Sequence, residues 1–433
     1  MAAVKELIVD PVLTLTAIPL LGAGIGVLLW SRPRTLKAWA LFLTAALVVV
    51  AVTAGTADGD AAIAPLSWLL ILASFLAVFG QDPYMEAPSS IVLTLLFLGL
   101  SLGTLASGGA LGIIFFSVML GVIGLAMVWH GRTTSPMVWG AVALCGIGVL
   151  CLVASLAASG SVAVVLRLVA FATALPLFPL HGVFVGALSH LPGSLPAFLA
   201  VALPSLGVHG VVSISAAVPA GILPSLLLLA LIGALYGSLK ALVQCHLGQM
   251  VAYLAVTLLA IPWWHMAVTA GKMPQAAGYV SAVAVAMGGL LLAGHFVQAR
   301  YGHLDLDKLR GLARPMPRFA TLFGLLIMAA MGLPLFGVFS AFMAMMFSSS
   351  TTLPQSIVVI LLVWFMASWL LVMLMQRILF GQPRPDLLYR DLSQTEVLSL
   401  VLVLCLLALG GIVPAGLFQL GDPAALSFLE VNR

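Results

Sequence analysis

Apolar runs long enough to cross a bilayer follow one another along the whole sequence. They lie near residues 11–30, 36–54, 63–80, 89–107, 110–129, 136–158, 161–182, 194–217, 222–243, 249–271, 276–298, 317–346, 355–380 and 395–420. At about 1.5 Å of rise per residue, each can span a hydrocarbon core of roughly 30 Å as a helix. Lipid offers the backbone no hydrogen bonds, so every peptide group has to be satisfied within its own segment, and helices do this. The composition agrees: 63% of the 433 residues are hydrophobic and 7% are charged, whereas a water-soluble chain carries about a quarter of its residues as charge. The expected fold is an all-α integral membrane protein of about fourteen transmembrane helices. Its formal net charge of +4 then carries no nucleic-acid meaning.

The start, MAAVKELIVDP, places Lys5, Glu6 and Asp10 before an apolar run with no small-residue cleavage site, so it reads as a first spanning helix. Orientation follows from the 17 Lys and Arg, which collect in cytoplasmic loops. Thirteen fall after odd-numbered helices: Arg32, Arg34, Lys37, Arg132, Lys240, Arg300, Lys308, Arg310, Arg314, Arg318, Arg377, Arg384 and Arg390. Lys5, Lys272 and Arg433 fall on the other side, and Arg167 lies inside a helix. Both termini are therefore expected on the outer side of an inner (plasma) membrane. The four cysteines, Cys145, Cys151, Cys245 and Cys405, are scattered through apolar segments without a Cys-x-x-Cys pair, so neither disulfides, metal nor a cofactor is expected.

Two segments are interrupted by proline: 161–182 at Pro176 and Pro179, and 317–346 at Pro334. They are the seventh and twelfth helices. That is the same place in two five-helix units, helices 4–8 and 9–13, as in an inverted repeat whose pathway runs beside the breaks. The alternative is that the prolines merely kink two helices. The corresponding division is a three-helix segment over 1–88, repeats over 89–217 and 218–392, and a last helix and tail over 393–433.

Residues around those breaks carry a family resemblance. Leu175 to Gly210, LPLFPLHGVFVGALSHLPGSLPAFLAVALPSLGVHG, resembles the seventh and eighth helices of the antiporter-like subunits of respiratory complex I. Pro176, Pro179, His181, Gly182, Ala187, Pro192, Leu199 and Gly207 stand in register with that family. LYGSLKALVQCHLGQMVAYL, from Leu235 to Leu254, is similar to its ninth and tenth helices. RGLARPMPRFATLFGLLIMAAMGLPLFGVF, from Arg310 to Phe339, is similar to its broken twelfth helix. FFSVML at Phe115–Leu120 and LMQRILFG at Leu374–Gly381 fit the fifth and thirteenth. The superfamily is shared by complex I, membrane-bound hydrogenases and multi-subunit sodium/proton antiporters, and the resemblance does not choose among them.

The resemblance implies a proton path of Glu and Lys at mid-membrane, and this sequence departs from it position by position. The fifth-helix Glu is Ser117, the seventh-helix Lys is Ala174, the eighth-helix Lys is Ser205, a tenth- or eleventh-helix Lys falls near Ala286, and the twelfth-helix acidic position is Ala341. In the block around Cys245, the family's Asp and Lys are His246 and Gly248. A charge at the membrane centre costs about 2.5–3.5 kcal/mol on the insertion scale, so its loss is easy once nothing needs it. The polar groups left inside are Arg167, Thr173, His181, Ser205, His209, Lys240, Gln244, His265 and His295. Arg167 stands two turns before Ala174 and either replaces the missing Lys or snorkels to the outer interface. His181, Ser205, His209 and His295 form either a short histidine relay or a set of partners for carbonyls freed at the breaks, with His181 the nearest donor to the first. Lys240 and Gln244 share a face at the inner end of the ninth helix, as path members or as interfacial anchors.

Three functions remain open. One is an antiporter-like membrane subunit of a complex I-type or hydrogenase-type oxidoreductase, linked to proton translocation but holding no catalytic residue or redox centre itself. Another is a membrane partner in an ion-coupled transporter, for inorganic carbon uptake or sodium/proton antiport. The third is a non-conducting scaffold. In each case the partners are other membrane subunits and the lipid bilayer.

Overall fold

The computed structural model describes residues 11–55, 64–81, 88–130, 135–273, 275–302, 305–306, 309–347, 355–383 and 389–412. Lys5, Arg132, Lys308, Arg384 and Arg433, which contribute to the loop bias, lie outside the described residues. Among the described residues there is no strand, only an isolated bridge between His246 and Asp305. Helices α1 (Pro11–Leu28), α2 (Pro33–Gly55) and α3 (Ala64–Phe79) precede two longer runs. The first run is α4 (Pro88–Ala106), α5 (Gly109–His130), α6 (Pro136–Ala157), α7 (Gly160–Ala174), α8 (Gly182–His190) and α9 (Leu195–Ile214). The second is α10 (Leu223–Leu242), α11 (Leu247–Leu259), α12 (Ile261–Val268), α13 (Ala276–Tyr301), α14 (Pro317–Ala330), α15 (Gly337–Phe347) and α16 (Ile357–Leu379), and α17 (Gln394–Ile412) follows.

Each apolar run of the sequence corresponds to one helix or to a pair separated by a break. Among the described residues ten spans are long and apolar enough to cross a membrane, and shorter apolar helices lie among them. The seventh segment also runs past 182, through α8 to His190, because its second half resumes as a helix after the break. The tenth segment, 249–271, is not continuous: α11 ends at Leu259, and Pro262 stands in the first turn of α12. A proline is tolerated there because its missing N–H has no intrahelical partner. Counting each interrupted helix as one crossing, α4–α9 and α10–α16 make five each, with the proline break in the fourth of each run.

The centre of the bundle is α13, buried from Gly278 to Val297 and packed on α9, α11, α14, α15 and α17. By contrast α6 turns Trp139, Leu150 and Val153 outward, as a lipid-facing helix does. Lipid tails are as apolar as these side chains, so close packing and interhelical hydrogen bonds hold the helices together, not exclusion from water. One such tie joins the first three helices to the first run. Lys37 Nζ donates to the Gln81 carbonyl, Gln81 Nε2 donates to Ser90 Oγ at 3.0 Å and to Ser194 Oγ, and Ser194 Oγ donates to the Ala77 carbonyl at 2.7 Å.

Candidate functional site

The first break lies between α7 and α8. Leu175 leaves helical geometry at φ −85° and ψ 96°, as a residue before proline does, while its N–H still closes the last turn onto the Phe171 carbonyl at 2.9 Å. The Leu175 carbonyl is taken by the indole Nε1 of Trp263, at 3.2 Å, from α12. The expectation that His181 would satisfy this break is corrected here: Trp263 donates, and His181 Nδ1 is buried with no hydrogen-bond partner.

His181 instead sits in an aromatic box. Its ring stacks on Phe178 at 5.8 Å between centroids, meets Tyr236 edge-on at 5.2 Å, and lies 6.3 Å from Tyr253. Lys240 Nζ lies 5.9 Å from the centre of the Tyr236 ring, close enough for a cation–π contact. Lys240, Tyr236, Tyr253 and His181 thus form one cluster that runs inward from the end of α10 to the break. It holds an ammonium, two phenols and an imidazole, and no carboxylate. Gln244 lies beyond the end of α10 and donates Nε2 to the Lys240 carbonyl at 3.0 Å.

The other candidates lie elsewhere. Ser205 is fully buried in α9 with its hydroxyl unpartnered, and His209 is one turn further along. His295 lines a polar cavity of about 330 Å³ together with Ser189, His246, Gln249 and Gln298, at the end of the bundle where α8 and α13 finish and α9 and α11 begin. His181 and His209 do not line it. Inward, the cavity meets Ala197 and Leu291, and Ala197 is shared with a crevice lined wholly by apolar residues, among them Leu76, Val201, Val285 and Leu292. Arg167 donates Nε to Ser155 Oγ at 3.4 Å, and Ser155 stands two residues before the end of α6. The guanidinium therefore reaches toward the helix ends, away from Ala174.

Of the positions where the resemblance has charged residues, Ser117, Ala174, Ser205, Ala286 and Ala341 are packed inside, while His246 is exposed and Gly248 half-buried. Ser117 turns its hydroxyl back onto the Ile114 carbonyl at 2.8 Å, as serines in helices do when no other partner is in reach. Ala174, Ala286 and Ala341 are buried. At the second break α14 ends at Ala330, Gly332 takes φ +79°, and α15 starts at Gly337. A left-handed φ at that position is why glycine precedes Pro334 by two. Ser340 Oγ then donates to the Gly410 carbonyl of α17 at 3.0 Å. Among the described residues no group of three or more His, Cys, Asp or Glu stands together as a metal site.

One feature escaped the sequence reading. Arg300 pairs both guanidinium nitrogens with Glu396, Nη1 to Oε1 at 2.8 Å and Nη2 to Oε2 at 2.5 Å, joining the end of α13 to the start of α17. Asp391 accepts from the N–H groups of Arg318 and Phe319 at the start of α14, at 2.9 and 3.2 Å. The signal was in the sequence: Ser393 and Glu396 have capping-box spacing, and the Ser393 N–H donates to Glu396 Oε2 at 2.7 Å.

Comparison with known proteins adds three kinds of similarity. The sequence profile of the NADH:quinone oxidoreductase/Mrp antiporter transmembrane family matches residues 140–370. F(420)H(2) dehydrogenase subunit M of Methanosarcina mazei is 27% identical over 257 residues, which cover 57% of this chain and 51% of the relative. The chain thus spans about half the length of that curated relative. Among solved structures, a chain of respiratory complex I from Thermus thermophilus superposes with a TM-score of 0.80 at 20% identity, covering 98% of this chain and 99% of the other. A chain of the Mrp complex from Dietzia sp. gives 0.79 at 18% identity, with 96% of each covered. A chain of the archaeal membrane-bound sulfane sulfur reductase gives 0.85 at 15% identity, covering 96% of this chain and 78% of the other. At such identities the superpositions establish the fold.

Proposed function

Since the chain belongs to the NADH:quinone oxidoreductase/Mrp antiporter transmembrane family, we propose that it is an antiporter-like membrane subunit of a complex I-type or related multi-subunit assembly. In this reading it no longer carries protons along a mid-membrane series of Glu and Lys. The observation that carries the reading is the neutrality of the buried positions Ser117, Ala174, Ser205 and Ala341 in a fold that follows a complex I chain over 98% of its length. A proton path through hydrocarbon needs titratable sites close enough to be joined by water. The polar cavity at His295 adjoins an apolar crevice through Ala197, and the cluster of Lys240, Tyr236, Tyr253 and His181 holds no carboxylate. Its partners are other membrane subunits, and its surroundings are the inner-membrane bilayer.

Two measurements test this. Reconstituted alone in liposomes, the protein is expected to pass protons no faster than protein-free vesicles, and His209→Ala is expected to leave the activity of the parent complex within a few-fold. Loss of coupled transport in that variant, with assembly intact, would sink the reading and place the histidines on a working path. Mass spectrometry of a mild-detergent pull-down then identifies the assembly: redox or hydrogenase proteins support the complex I-type reading, and a lone soluble partner supports an ion-coupled transporter.

Orientation belongs to the same proposal. The loop bias puts Gly381 inside and Gly271 outside. Topology reporters fused after these residues are expected to read cytoplasmic and external, and the same side for both would refute the assignment.

A further inference from the structure

We propose that α12 is a brace that couples the two broken helices, so that the packing of either break depends on the other. The helix is eight residues long, and three successive side chains in it, Trp263, Trp264 and His265, are almost completely buried. Successive residues point about 100° apart around a helix, so these three face three different neighbours. Trp263 donates to the Leu175 carbonyl at the first break. Trp264 Nε1 donates to Ser356 Oγ, at 2.8 Å, at the N-cap of α16. His265 makes a hydrogen bond to the backbone of Met345 in α15, the helix that follows the second break.

The ties of Trp263 and His265 to backbone are expensive to lose in a lipid-surrounded interior, because a backbone group deprived of its partner has no water to turn to. Ala260 keeps helical geometry, and hydrogen bonds from the Ala260 N–H to the Val256 carbonyl and from the Trp264 N–H to the Ala260 carbonyl cross the joint. Pro262 offers no N–H there, so α12 hangs on α11 by a weakened turn about which it is able to shift. Its own turns are closed by backbone hydrogen bonds, so it shifts as a rigid piece. A displacement that frees one of the three side chains strains the other two, and coupling of this kind is reciprocal. The inference concerns the chain itself and holds whichever assembly it serves.

Hydrogen exchange of the full chain in nanodiscs tests it, read on peptides covering residues 171–182 and 329–345. Trp263→Phe keeps an aromatic ring and removes the donor. It is expected to speed exchange about tenfold around Leu175, the scale of one lost hydrogen bond, and at least about threefold around the second break. His265→Phe is expected to do the reverse, loosening the first break from the far side. If each substitution affects only its own side, the brace is refuted. Should either variant fail to fold, the unaltered protein decides: under rising denaturant the two breaks lose protection together if α12 couples them, and at separate concentrations if it does not.

Discussion

Glu396→Ala is expected to cost about 3–5 kcal/mol of stability, the scale set by removing one partner of a buried ion pair. The side chains of Arg300 and Glu396 are 18% and 10% exposed and meet through two parallel contacts. Truncating the carboxylate leaves a largely covered guanidinium without its counter-charge, holding only the Phe296 and Asp391 carbonyls. It also removes the acceptor that Ser393 uses at the start of α17, and frees α17 from the end of α13. Breaking a buried pair is costly even where replacing both members is not. The double change Arg300→Met with Glu396→Leu is therefore expected to recover most of the loss, short of about 1 kcal/mol for the missing cap. Thermal unfolding of the purified protein in detergent measures this. If Glu396→Ala melts within a degree or two of the unaltered protein, the pair is a surface contact and the prediction fails.

The next largest effects are expected where a neighbouring helix presses a glycine against each break. A Cβ added at Gly207 of α9 would lie 2.4 Å from the Leu175 nitrogen, and one added at Gly411 of α17 would lie 2.1 Å from the Leu335 oxygen. In both cases the atom met is backbone, which has no rotamer to retreat into. Overpacking of this kind costs about 1–3 kcal/mol and occasionally more. Gly207→Ala and Gly411→Ala should therefore both lower the yield of folded protein and its melting temperature, with Gly411→Ala the more severe. Gly121 in α5 has open space around its Cβ position, and alanine there is expected to leave stability unchanged or raise it by up to about 1 kcal/mol. Equal melting of all three variants would show that the breaks tolerate a shift of the helices beside them.

Much of this molecule was legible because lipid imposes a simple rule on sequence. An apolar run of some twenty residues has one way to satisfy its backbone, so the helices and the two proline breaks could be read directly. Pro176, Pro179 and Pro334 announce their breaks because they lack an N–H and clash with the preceding turn. The interruption between α11 and α12 announced itself less clearly, since Pro262 also fits the first turn of a new helix in a run that otherwise reads as continuous. The neutrality of Ser117, Ala174, Ser205 and Ala341 likewise needed only the sequence and a family to compare it with.

What the sequence could not say was which polar groups meet. His181, His209 and His295 look alike in an apolar sequence, yet one lies in an aromatic box, one on α9 and one at a polar cavity. Spacing along one helix decides only which residues share a face; a partner on another helix depends on how the bundle closes. Trp263 reaches Leu175 across 88 positions, and Arg300 reaches Glu396 across 96. The sequence by itself determined that this is a membrane bundle with proline-broken helices and few charges to place. The tertiary structure decided that a tryptophan satisfies the first break, that an ion pair anchors the last helix, and that the histidines stand apart, because those outcomes depend on distances between helices that no single segment encodes.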